Sequence, residues 1–204
     1  MMNQSYYKNS IIVLLLCITF ASCTSSKKTE DENKFDRIDS LRSEFLIIQD
    51  SLVYAWNIMI KDDNEKIKSL DRLLDEVKYA GVPDTMIIAE YKEHLKKLKK
   101  SRYTYTSMAN SQSIDEYDLT SNTLVNEIIT YAQAHPDFER NPYMQELIDE
   151  IHSAESRILF FRLDYDDFAK KYNRFVADNQ DIINDIDKDH NHDKLPLFEL
   201  SPVE

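Results

Sequence analysis

A chain of 204 residues with 42% hydrophobic content can bury one core without metals or disulfides. Its one glycine, Gly81, leaves nothing from which to build a glycine-rich phosphate loop, a dinucleotide fingerprint or a nucleophile elbow. The net charge of -12 sets up a field that repels phosphate backbones, so nucleic acid is not an expected partner.

The chain opens with an address. Residues 1–10 are polar with one cation, Lys8, and Ile11 to Phe20 are almost wholly apolar before Ala21, Ser22 and Cys23. The apolar run is about half of the ~20 residues that a spanning helix needs, and polar residues follow at once from Thr24. Small residues before a cysteine resemble a bacterial lipoprotein signal over 1–22, with Cys23 lipidated as the mature amino terminus; Phe20 departs from the usual leucine. The alternatives are an ordinary cleaved signal or an uncleaved anchor. The expected location is therefore a bacterial membrane, with the chain exposed outside the cytoplasm on the periplasmic side or the cell surface. Cys17 falls in the discarded segment, so the mature domain has no thiol for disulfide, metal or nucleophile chemistry. Loss of residues 1–22 removes only Lys8 among the charged groups and leaves 24 cations against 37 anions. Residues 23–35 are polar almost throughout and have the composition of a flexible tether.

From Ile38, the residues Leu41, Phe45, Ile48, Leu52, Ala55 and Met59 recur at spacings of three and four and predict a first helix over about 36–80. The stripe shifts through Asp63 to Ile67 and resumes at Leu70, a stutter through which the helix continues. Gly81 sits where a left-handed residue ends a helix, and Asp84 caps the next. That second helix, about 84–109, holds the basic run Lys96 to Arg102, which reads as a solvated face around Leu98. After a break at Asn110 to Ser113, a third helix runs to about Ala134. Asn141 and Pro142 then supply the cap and first-turn proline of a fourth, which extends to about Asp185. This fourth helix has a heptad seam of Leu147, Ile151, Ala154, Ile158, Phe161, Tyr165, Phe168, Tyr172 and Phe175.

Such a seam leaves water only if other helices pack along it. The expected fold is all-α, an up-and-down four-helix bundle of long antiparallel helices, two long and two shorter, over 36–186, with an acidic tail over 187–204. Because the short helices cannot cover the long ones throughout, Leu41, Phe45, Ile48, Phe168, Tyr172 and Phe175 are expected to leave an apolar surface for self-association or a partner helix. The alternative is that residues 109–124 fold back over it.

Candidate chemistry is sparse. Asp185, Asp187 and Asp189 alternate like the first ligands of a calcium loop, but His190 stands where glycine is needed and Pro196 where glutamate is needed. Asp187, Asp189, His190 and His192 are thus weak metal candidates, against the plainer reading of a solvated helix end. Asp149 and His152 are half of a di-iron motif that has no second copy. Glu155 and Arg162 lie seven apart beside the seam, as a binding stripe or, more simply, as cross-helix ion pairs. Trp56 reads as core, and the tyrosines at 91, 103, 105, 117 and 131 as a semi-polar face or half-buried packing.

Several of these residues in order resemble the LemA family. Ala55 and Trp56, then Leu73, Val77, Lys78, Tyr79 and Ala80, match its first half. His135, Pro136, Asp137, Phe138, Asn141, Leu147, Glu155, Arg157, Ile158, Arg162, Tyr165, Tyr172 and Asn173 match its second, and Pro196, Phe198 and Glu199 its end. Asp71 replaces a common proline, Asp166 an asparagine, and the usual apolar, glycine-bearing tail is acidic here. The resemblance implies a helical bundle held at a membrane, with the lipid as an alternative anchor, and implies no reaction or cofactor. The expected function is an interaction or scaffold module of the cell envelope, not an enzyme, with an envelope protein or a second copy of the chain as partner. The other readings are a ligand- or peptide-sensing bundle and a metal-dependent enzyme using the Asp/His tail.

Overall fold

The computed structural model describes residues 25–81, 84–188 and 191–198, with the backbone alone over 25–34. The expected signal over 1–22, Cys23, Asp189 and His190 lie outside the described residues.

The protein is all-helical, with no strand among the described residues. Helix α1 spans Ser25–Tyr79, α2 Thr85–Ser101, α3 Ser111–Gln133, α4 Pro142–Asp178 and the short α5 Ile183–Ile186. Single 3-10 turns at Ser107–Ala109 and Phe138–Arg140 precede α3 and α4. Helix α1 runs unbroken through the stutter, and Gly81 has φ +109°, a backbone that only glycine adopts without strain. The Asp84 carboxylate accepts from the N–H groups of Met86 and Ile87 and so caps α2. Asn110 caps α3 in the same way, and Asn141 caps α4 with Pro142 behind it.

Three boundaries differ from the sequence expectation. Helix α1 begins at Ser25, so 25–35 is helical where a flexible tether is expected; it contains no glycine or proline to stop a helix growing back from residue 36. Helix α2 ends at Ser101, because Arg102 turns out of it with ψ 137°. The irregular stretch lets Tyr103 and Met108 both enter the core, and Thr104 and Ser107 hold it by reciprocal side-chain bonds to each other's N–H at 2.8 and 3.1 Å. Helix α4 ends at Asp178, where the Asn179 amide turns back to the Phe175 carbonyl at 2.8 Å.

The chain divides into two compact units. One is built from the start of α1 up to Phe45 and the segment from Gln180; the other comprises Leu46–Asn179 and the segment from Asn191. In the first, Arg42 donates to the carbonyls of Asp185 and Ile186 at 2.9 and 3.2 Å, and Ile182, Ile183 and Ile186 are buried. In the second, α1 to α4 share one core. Leu70, Leu73 and Leu74 of α1, Leu98 of α2, Val125 and Ile128 of α3, and Leu147 and Ile151 of α4 are all fully enclosed. Burial of this kind stabilises by ~25 cal/mol for each Å² of apolar surface removed from water. The segment from Asn191, part of the stretch read from sequence as an acidic tail, joins that core through Phe198. The Leu195 N–H and carbonyl pair with the Asn173 side chain at 2.7 and 3.0 Å, and the Phe198 N–H donates to Asp166 at 2.8 Å.

Candidate functional site

Charged residues are rare in helix cores, since desolvating a charge is unfavourable unless a partner is close. Here a group of them lines one cavity of about 200 Å³ between the helices of the second unit. Asp63 and Lys66 come from α1, Arg102 from the end of α2, Asp118 and Ser121 from α3, and Arg162 from α4. Asp63 is the hub. Its carboxylate receives Arg102, the Tyr117 hydroxyl at 2.5 Å, and Lys66 at 3.3 Å; Lys66 also donates to the Ser121 hydroxyl at 2.9 Å. Beside it the Arg162 guanidinium grips both Asp118 oxygens at 2.7 Å and donates to the Tyr103 hydroxyl at 3.1 Å. Its positive face also lies 5.0 Å from the Phe198 ring centroid.

This environment moves protons in definite directions. Burial, and then the Asp63 charge, pushes the Tyr117 phenol well above its ordinary range. Burial works against the charge on Arg162, but the bonds it donates to Asp118, together with the Asp118 charge and Tyr103, outweigh it and hold the guanidinium protonated. Burial, followed by the neighbouring Tyr105, raises Tyr165. Every tyrosine around the cluster is therefore a neutral hydrogen-bonding group near neutral pH. The arrangement suits binding of a polar group better than proton transfer.

A second feature is a groove of about 620 Å³ between α1 and α4, walled by Tyr54, Ile58, Phe161 and Phe168 and carrying Asp50 and Asp164. Leu46, Ile47 and Val53 extend the exposed apolar surface along the same stretch of α1.

Of the six residues expected to form a bare apolar end, Phe45, Tyr172 and Phe175 are buried, which corrects that expectation for them. Of these, Phe45 belongs to the first unit, with the buried Ile182, Ile183 and Ile186, and Tyr172 and Phe175 to the second. Leu41, Ile48 and Phe168 are half-buried, and Phe168 belongs to the groove. Glu155 and Arg162 both line the cavity. Arg162 makes a cross-helix pair; Glu155 meets His152 of its own helix at 3.3 Å. Arg102 departs from the solvated run to which its sequence position assigned it, because only 11% of its side chain is exposed. Among the described residues no group of three or more His, Cys, Asp or Glu side chains is placed to hold a metal. Trp56 sits edge-on to Tyr105 and Tyr165, at centroid distances of 5.3 and 5.6 Å, as core.

Sequence reading missed Asp63, Lys66, Tyr103, Tyr117, Asp118 and Ser121 as parts of one site. One signal was present: Asp63 and Lys66 stand in the apolar register between Met59 and Leu70, where a solvated helix face would not put them.

A family model described as LemA family matches residues 86–200, more than half of the 204-residue chain. The chain belongs to the LemA family. No curated relative and no solved structure gave a significant match. The LemA match takes in α2 to α4 and the docked segment through Phe198, so Arg102, Tyr117, Asp118 and Arg162 lie within it, whereas Asp63 and Lys66 precede it. The Ala55 to Ala80 residues that resemble the LemA family also precede the matched stretch.

Proposed function

We propose that this LemA protein is a lipid-anchored, up-and-down four-helix bundle of the bacterial envelope, acting as an interaction module and performing no reaction of its own. The observation behind this reading is the groove between α1 and α4, apolar along Tyr54, Ile58, Phe161 and Phe168 and flanked by Asp50 and Asp164. An amphipathic segment fits that chemistry: its apolar side chains fill the groove while its Lys or Arg side chains meet the two carboxylates. The net charge of -12 adds a long-range pull on a basic partner. The signal-like start and Cys23 support the address, since a lipid chain plus a second attachment holds a domain at a bilayer. No helix among the described residues is long and apolar enough to cross a membrane.

The test is photocrosslinking in membranes, with the reactive side chain at position 54 in the groove and a control at position 90 on α2. The expected result is one adduct from position 54 alone, mapping to a basic amphipathic segment of an envelope protein and lost with Phe168→Asp. Equal adducts from both positions, or an adduct indifferent to Phe168→Asp, refute the groove. In the Cys23→Ser chain the adduct should fall, because the protein then leaves the membrane; an unchanged yield refutes the lipid address.

A further inference from the structure

The cavity around Asp63 is not used by the proposed docking groove, and its charges are not distributed evenly. Three cations line it, Lys66, Arg102 and Arg162, against the two carboxylates that pair with them, Asp63 and Asp118, a surplus of one positive charge within that paired group. Two carboxylates are more open, with 36% of the Asp118 side chain and 29% of the Glu155 side chain exposed, against 7–8% for Asp63 and Lys66; Asp118 spends both oxygens on Arg162, which leaves Glu155 as the carboxylate at the mouth with an oxygen to offer. Exposed Leu159 and Asn122 share that mouth.

Unused hydrogen-bonding capacity follows the same division. Lys66 spends two of its three N–H directions on Asp63 and Ser121, and the Ser121 hydroxyl, accepting from Lys66, keeps its own hydrogen to give. Arg162 is nine-tenths buried, and its Nε has no acceptor among the described residues. At the mouth, Glu155 engages His152 through Oε2 and leaves Oε1 open. Met59, Ile60 and Ile158 add an apolar part to the lining.

We infer that this cavity is a binding site for a small zwitterion of amino-acid size, its carboxylate on the Lys66 ammonium and the Ser121 hydroxyl and its ammonium group at Glu155. A cavity of about 200 Å³ is smaller than the ~300–1,000 Å³ typical of drug-sized ligands. At ~30 Å³ per water it has the space of about six or seven waters, enough for a compact molecule with a short aliphatic group against Met59 and Ile158. An anion alone leaves the open Oε1 of Glu155 unused, and a cation alone meets the surplus positive charge of the lining.

The experiment is isothermal titration of the full chain in detergent with glycine, L-alanine, L-serine and β-alanine, with acetate and ethylamine as single-charge controls. Saturable binding of at least one zwitterion, at least tenfold tighter than either control, is expected. Glu155→Gln, a change at the exposed rim that leaves the core intact, should weaken it at least tenfold, and Lys66→Met should abolish it. Circular dichroism of each variant establishes that it is folded. Binding of acetate as tight as that of the zwitterions overturns the assignment, as does the absence of saturable heat from all four zwitterions. Zwitterion binding unaffected by Glu155→Gln in a folded chain overturns it as well.

Discussion

Replacing Asp63 with asparagine tests the buried cluster most sharply, because the amide keeps the shape of the carboxylate and removes only its charge. In the native protein Asp63 answers two cations, and the exposed fractions of the three side chains are 7% for Asp63, 8% for Lys66 and 11% for Arg102. Water therefore offers little compensation once the counter-charge is gone. Removing one partner of a buried pair costs about 3–5 kcal/mol, and Asp63→Asn belongs in that range. Lys66→Met should behave differently: it deletes the surplus cation, leaves Asp63 paired with Arg102 and fills the same volume with an apolar chain, at a cost of about 1 kcal/mol or less. In urea, with a slope of about 2 kcal/mol/M, Asp63→Asn lowers the unfolding midpoint by about 2 M and Lys66→Met by about 0.5 M or less. The double variant should be more stable than Asp63→Asn alone, since it leaves one unanswered cation instead of two. Equal losses for the two single variants, or a double variant with the summed loss, would falsify the charge count on which the argument rests.

Alkaline unfolding reports the same region. The folded-state pKa of Tyr117 lies above its ordinary value of 10.0, so its contribution to stability is complete below about pH 10 and is lost as the pH rises toward the folded value. Tyr117→Phe should therefore flatten the alkaline limb of a stability profile measured between pH 8 and 12, even though it forfeits the bond to Asp63; an unaltered slope argues against the assignment. Leu74→Ala, at a fully enclosed position of α1, should cost about 2–5 kcal/mol in the same urea assay. Gly81→Ala meets no atom within 4 Å, so its loss, about 1–2 kcal/mol, comes from the +109° φ alone and is read from the same unfolding curve. Phe198→Ala removes a ring packed edge-on against Tyr103 and Tyr165 and should cost about 3 kcal/mol. Amide exchange at position 198 should accelerate with it, because the bond to Asp166 depends on the docked segment.

The cluster also explains how a charged core is tolerated. Arg162 reaches Asp118 across α4 and α3, Lys66 reaches Ser121 across α1 and α3, and Lys92 of α2 spans Asp71 and Asp75 of α1 at 3.0 and 2.9 Å. Each bond fixes one helix in rotation and register against another, which uniform apolar packing does less strictly. The substituted Asp71 and Asp166 have found uses of this kind. Asp71 receives Lys92, and Asp166 accepts the Phe198 N–H, a bond that an asparagine oxygen can also accept.

What the sequence determined by itself was local. The spacings of three and four in α1 and α4, the glycine stop at position 81, the caps at Asp84 and Asn141 and the first-turn Pro142 each act within one or two helical turns, so they are legible without knowing any partner. The tertiary structure decided the rest. Whether Arg102 faces water or Asp63, or Arg162 meets Asp118 or Glu155, depends on how each helix is rotated about its axis and where it crosses its neighbours. A repeating stripe constrains that rotation only to the width of the stripe. The docking of residues 195–198 was hidden for a related reason. Its bonds join a short irregular segment to Asn173 and Asp166 on α4, and only the folded chain brings those groups within reach.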